Sequence, residues 1–158
     1  MQSPQVKALG AVCREICHAP DNKPTIREYF EQKNLLGICG VDTRRITIKT
    51  RVKGTLKASL VTGSDDGEYA VKLAKETPSI SDCDLIPAVS CKAPYRIPGK
   101  GKKVAIIDLG LKTNIITSLS RRKGDLYIFP YNVVPDDIFA IEPDCLFITN
   151  GPGDPKSA

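Results

Sequence analysis

Val104-Ala105-Ile106-Ile107-Asp108-Leu109-Gly110 decides the fold: an unbroken apolar run closed by a carboxylate and a glycine turn is the pattern of a central parallel strand covered on both faces. Downstream, Ile115, Ile116 and Leu119 fall on one face of a helix predicted over Lys112 to Arg122, with Gly124 as its terminator. A second strand is expected at Leu126 to Phe129, a short helix near Pro135-Asp136-Asp137, and a third strand at Cys145 to Thr149. The β-α-β-α-β order predicts a right-handed, doubly wound parallel sheet.

Working back toward the start, Ala93 to Lys102 combines two prolines, two glycines and several cations without apolar periodicity, so residues 93–101 are read as a linker between domains at 1–92 and 102–158. In the first domain, Val6 to Ile16 has strand-like content. Thr25-Ile26-Arg27-Glu28 has capping-box spacing, predicting a helix to about Lys33. Asp42 caps a helix from Thr43 to Lys53 that ends at Gly54, Leu56 to Thr62 alternates like a strand, and Glu68 to Glu76 suits a helix. The whole is an α/β chain: a small α/β module followed by part of a doubly wound sheet.

Composition excludes several function classes. With 41% hydrophobic and 26% charged residues the 158-residue chain is not globally disordered. No run approaches the roughly 18–20 apolar residues of a membrane helix, and Met1 to Gln5 carries no secretory pattern, so no membrane association and a cytoplasmic location are expected. The net charge of +5 would suit nucleic acid only if cations clustered beside aromatics; Lys100 to Lys103 and Arg121 to Lys123 instead sit at the linker and a helix end, so no nucleic-acid partner is expected. Cys13, Cys17, Cys39, Cys83, Cys91 and Cys145 contain no C-x-x-C pair. With His18 the first two offer at most three ligands, so they are read as reduced residues rather than disulfides or a metal site, Cys145 as core.

Ligands of such a sheet bind at the strands' carboxyl ends. Here those ends carry Asp108-Leu109-Gly110, Phe129-Pro130-Tyr131-Asn132 and Asn150-Gly151-Pro152-Gly153. The glycines of the last turn allow a ligand to approach backbone N–H groups closely, and Pro152 stiffens it. From this turn alone, an ordinary strand-ending loop fits as well as an oxyanion cradle.

Asn150-Gly151-Pro152-Gly153-Asp154-Pro155 resembles the oxyanion-strand motif of triad-type glutamine amidotransferase domains. The upstream Gly37-Ile38-Cys39-Gly40-Val41-Asp42-Thr43-Arg44-Arg45-Ile46-Thr47, with Arg51-Val52-Lys53-Gly54, resembles the signature of the carbamoyl-phosphate synthetase small subunit. Asp108, Gly110, Lys112 and Asn114 resemble the segment that opens that subunit's glutamine amidotransferase domain. The resemblance implies that Gly151 and Gly153 contact L-glutamine, with a backbone N–H facing the tetrahedral oxygen. It implies a Cys-His-Glu triad beyond Ala158, so no catalytic residue in this chain, a segment truncated at both ends and inactive alone. It further implies ammonia delivery to a large chain that makes carbamoyl phosphate, with ATP and divalent metal used by that partner and no cofactor here.

Gly37-Ile38-Cys39-Gly40 mimics the start of a nucleophile elbow, but Val41 stands where that motif needs glycine, so Cys39 is read as structural. Lys112 lacks phosphate-loop spacing and is read as surface or interface. Two other readings stay open: a non-catalytic docking module for a synthetase subunit, and a nucleotide-binding or receiver-like domain suggested by Asp108. The third strand is expected to form an apolar edge prone to association.

Overall fold

A computed structural model of the chain describes residues 6–18 and 23–153. The backbone packs as two compact units, meeting in sequence between Ser79 and Ile80.

In the first unit, β1 (Gly10–Val12) and β2 (Leu36–Ile38) pair in parallel, with Val12 opposite Ile38. Between them α1 (Ile26–Gln32) begins at the expected capping box: Glu28 N–H donates to Thr25 Oγ1 at 3.1 Å, and Thr25 N–H donates to the Glu28 carboxylate at 2.7 Å. Those bonds hold the Glu28 carboxyl below its usual range, the backbone donor foremost. The next helix, α2 (Thr43–Lys53), starts at Asp42, whose carboxylate accepts from Arg45 N–H, and stops at Gly54, where φ is +76°. Asp66 likewise caps α3 (Gly67–Glu76).

Two expectations change here. The strand read from Val6 to Ile16 is only three residues long. Leu56 to Thr62 forms no strand. Leu60 is spent on packing, since a Cβ built on Gly10 would lie 3.1 Å from Leu60 Cδ2, and Ser59 Oγ donates to the Ala70 carbonyl at 2.6 Å. Alternation alone does not make a strand without a ladder partner.

The second unit holds a four-stranded sheet. A short 3₁₀ turn (Ile80–Asp82) and α4 (Ile86–Val89) precede β3 (Tyr95–Ile97), β4 (Lys103–Asp108), α5 (Thr113–Arg121), β5 (Asp125–Pro130), α6 (Pro135–Phe139) and β6 (Cys145–Ile148). The spatial order is β3-β5-β4-β6, with β4, β5 and β6 parallel and β3 antiparallel on the β5 edge. Val104, Ile106, Leu126 and Ile128 meet Ile116 and Leu119 of α5 on one face, while Ala105 and Phe129 meet Ile138 of α6 on the other. Period-two alternation therefore fills two hydrophobic layers, the arrangement expected of an α/β sheet.

Residues 93–101 are more than a connector. Arg96 of β3 grips Asp125 of β5 through paired bonds, Nε to Oδ1 at 2.9 Å and Nη2 to Oδ2 at 2.7 Å, and its guanidinium lies 4.9 Å from the Tyr127 ring centre. Gly99 and Gly101 pack on the backbone of Lys123 and Gly124, where a Cβ on Gly99 would collide with the Gly124 carbonyl. The glycines of this stretch serve close approach rather than freedom. Gly124 itself also differs from expectation: the positive φ that ends α5 belongs to Lys123, at +64°, and a Cβ on Gly124 would sit 3.0 Å from Leu126 Cδ2.

Cys145, expected in the core, is exposed. Among the described residues its strand β6 pairs with β4 alone and forms the sheet's other edge, which leaves Leu146 and Ile148 more than half exposed.

Candidate functional site: the carboxyl end of the sheet

β4 delivers Asp108 to the carboxyl end of the sheet, where it is 5% exposed. Its Oδ1 accepts from Gly110 N–H at 2.9 Å and Leu111 N–H at 2.7 Å, and its Oδ2 accepts from Cys91 N–H at 2.8 Å. Three backbone donors thus satisfy a buried carboxylate that would otherwise be costly. Asp108 ties the loop after β4 to the segment that follows α4, and it is not displayed as a free acid for metal or phosphoryl chemistry.

The segment around α4 crosses the ends of β4 and β5. Ser90 is buried, and its Oγ accepts from Tyr131 N–H just beyond β5 at 3.0 Å. Burial first, then the neighbouring Asp108 charge, pushes the Cys91 thiol up to about 11, so it stays protonated at neutral pH and is a poor nucleophile. The Tyr95 hydroxyl is raised for the same two reasons, in the same order.

β6 brings the glycine turn to the same end. Thr149 is buried; its N–H donates to the Ile107 carbonyl at 3.2 Å, and its Oγ1 accepts from Leu109 N–H at 2.8 Å. A Cβ on Gly151 would stand 2.9 Å from the Leu109 carbonyl oxygen and 3.1 Å from Leu109 Cβ, so only glycine fits. A Cβ on Gly110, whose φ is +135°, would lie 3.5 Å from the Asn150 carbonyl oxygen and 3.7 Å from Pro152 Cδ. The two loops are packed against each other through their glycines. Gly153 has φ +86° with open space where a side chain would go. Among the described residues no hydrogen bond takes up the N–H of Gly151 or Gly153. Asp154 and Pro155 of the quoted motif lie outside the described residues.

The structure therefore places Gly151, seated on Leu109, and Gly153, in open space, on one turn beside Leu109 and Gly110. Cys39 and His18 belong to the first unit. Lys112 is exposed at the start of α5. Sequence reasoning missed Ser90 and Thr149, which act as hydroxyl acceptors fastening loops; for Thr149 the available signal is a hydroxyl ending an apolar strand directly before Asn-Gly. Among the described residues no three His, Cys, Asp or Glu side chains converge as a metal site, and no helix is long and apolar enough to cross a membrane.

Fold and site together define an α/β chain whose sheet, parallel except at β3, leads into a glycine turn with backbone donors unclaimed among the described residues. Comparison with known proteins makes the class specific. The family described as carbamoyl-phosphate synthase small chain, CPSase domain, matches residues 1–60. The carbamoyl phosphate synthase small chain of Methanosarcina acetivorans is 46% identical over 169 aligned residues, covering 99% of this chain and 46% of the relative. That of Methanosarcina mazei is 44% identical over the same shares, and the pyrimidine-specific small chain of Bacillus subtilis is 36% identical over 93% of this chain and 41% of its own length. Over nearly its whole length the chain is similar to carbamoyl-phosphate synthase small chains, and it spans about half the length of the curated relatives it matches.

Proposed function

We propose that these residues form the glutamine-facing part of a small chain that feeds ammonia to a carbamoyl-phosphate synthase large chain in the cytoplasm. The carrying observation is the Gly151 turn, held where a Cβ cannot fit, with the N–H groups of Gly151 and Gly153 unclaimed among the described residues. In this reading a thiolate attacks the side-chain amide carbon of L-glutamine, and an N–H of the turn stabilises the oxygen that gains negative charge. Ammonia leaves, and water hydrolyses the resulting thioester. Donors of this kind, preset before the charge develops, are worth roughly 3–4 kcal/mol each.

The Cys-His-Glu triad of this mechanism is not built from residues 1–158. The sequence holds a single histidine, His18, and the cysteine beside the turn's neighbourhood, Cys91, is protonated at neutral pH. ATP and divalent metal belong to the partner in this proposal, and carbamoyl phosphate is made there from bicarbonate and ammonia.

The test exchanges residues 1–158 for the matching residues of the Methanosarcina acetivorans small chain and assembles the chimaera with the corresponding large chain. Glutamine-dependent carbamoyl phosphate synthesis is the expected result, while residues 1–158 alone release no ammonia from glutamine. An assembled complex that works with ammonia and fails with glutamine would overturn the assignment of the turn.

A second reading, a docking module for a synthetase subunit, draws on residues 6–79. α2 places Arg44, Arg45, Lys49, Arg51 and Lys53 in solvent together with Ile46, Ile48 and Val52. Retention of a large chain by residues 1–79 without the remainder would favour it.

A further inference from the structure

Val12 and Ile38 form the last bridge of the β1–β2 ladder, and a cysteine follows each of them, Cys13 and Cys39. Residues opposed in a parallel ladder project to one face, and neighbouring strands stand roughly 4.7–4.9 Å apart. That spacing falls inside the roughly 4.4–6.8 Å between Cα atoms that a disulfide spans.

Hydrogen bonds continue past the last bridge. Cys13 N–H donates to the Ile38 carbonyl at 2.9 Å, the Cys13 carbonyl accepts from Val41 N–H at 3.3 Å, and Gly40 N–H donates to the Arg14 carbonyl at 2.9 Å. The backbone of Cys13 therefore brackets Cys39, bonded just before it and two residues after it. The Cys13 thiol donates to the Ile38 carbonyl oxygen at 3.6 Å, which sets its sulfur on the peptide that leads into Cys39. Both cysteines line the same open groove of about 610 Å3, on the face that Ala11 and Gly37 share. Cys39 is exposed and Cys13 half-buried, and both are thiols. The exposed Cys17 lines this groove as well, but it lies outside the ladder end, and no three His, Cys, Asp or Glu side chains among the described residues group as a metal site, so the chemistry available to Cys13 and Cys39 is that of thiols.

We propose that Cys13 and Cys39 form a dithiol site that exchanges with small disulfides of the glutathione class and closes to an intramolecular disulfide. The exposed Cys39 thiolate attacks one sulfur of glutathione disulfide, forming a mixed disulfide and releasing one glutathione thiolate. The Cys13 thiolate then attacks Cys39 Sγ, forming the Cys13–Cys39 bond and releasing the second glutathione. Two protein thiols lose two electrons, one glutathione disulfide gains them, and both protons end on glutathione. The closed form ties β1 to the segment that enters α2 through Gly40, Val41 and Asp42.

The experiment equilibrates the reduced 158-residue chain with glutathione buffers of graded ratio, in native buffer and in urea, then alkylates free thiols and maps the peptides by mass spectrometry. The expected result is a Cys13–Cys39 linked peptide pair as the dominant disulfide in native buffer. Its equilibrium constant should fall by at least about tenfold in urea, a change equivalent to roughly 30 mV. Cys17→Ser should leave the pair intact, whereas Cys39→Ser leaves Cys13 alkylated, and closure should slow amide exchange at Gly40 and Val41. Separate glutathione adducts on Cys13 and Cys39 without a mutual bond would overturn the proposal, as would equal pairing in native buffer and urea.

Discussion

Ala105, Ile106, Leu126 and Ile128, all in the unit that begins at Ile80, are 0% exposed, whereas no described residue of 6–79 is buried. Both units obey the same local rules. Thr25, Asp42 and Asp66 cap the helices of the first with side-chain bonds that α4, α5 and α6 lack, yet α1, α2 and α3 hold no fully buried residue. Capping fixes where a helix starts and contributes about 1 kcal/mol; a folded unit needs tertiary burial on top of that. The comparison separates order that is local from order that depends on a core.

The largest effect expected from this contrast is in the sheet. Leu126→Ala should cost about 2–5 kcal/mol in urea unfolding, while Ile48→Ala, on the solvent side of α2, should change stability by less than about 0.5 kcal/mol. Equal losses would erase the distinction between the units. Next, Asp108→Asn keeps one carbonyl oxygen but turns an amide toward a backbone donor, so it should cost roughly 1–3 kcal/mol in the same assay. A neutral result would mean that the three N–H bonds are not what hold the loop. Thr25→Ala comes third, at about 1 kcal/mol or less, and should appear as faster hydrogen exchange confined to α1. Spread of that change into the sheet would contradict local control.

The smallest effect is acidic. The Arg96 guanidinium, ahead of the Gly99 N–H bond, holds the Asp125 carboxyl below the ordinary aspartate value of 3.8. A lowered carboxylate stabilises the fold above its unfolded-state value, and that contribution disappears as pH falls through the folded-state value. Asp125→Asn should therefore flatten the acid limb of the stability curve below about pH 4 and leave the limb near neutrality unaltered in slope. An unchanged acid limb would show that the pair adds nothing.

Much of the fold was legible because it is written in nearest neighbours. The runs at Val104, Leu126 and Cys145, the capping carboxylates and hydroxyls, and the positive φ at Gly54 all follow from local chemistry. What escaped depends on pairing at a distance. Tyr95-Arg96-Ile97 has too little apolar pattern to announce a strand, and it becomes one because Arg96 finds Asp125, 29 residues on. Leu56 to Thr62 alternates but has no ladder to join. Cys145 reads as core, yet β6 is an edge in this sheet. In the site, the glycine turn was legible from composition, while Ser90 and Thr149 were not, since a hydroxyl's partner 40 or 41 residues away leaves no mark nearby.

The proposed function places its chemistry at the carboxyl end of the sheet, and the Gly151 turn carries that proposal. Its most direct measurement is the glutamine hydrolysis rate of the chimaera described above carrying Gly151→Val, beside Gly67→Ala, which alters a glycine of the other unit that has open space around it and no positive φ. Displacing the turn's donor should lower kcat by roughly 100- to 1,000-fold, while Gly67→Ala keeps the parent rate. A folded Gly151→Val chimaera that hydrolyses glutamine at the parent rate would contradict the account.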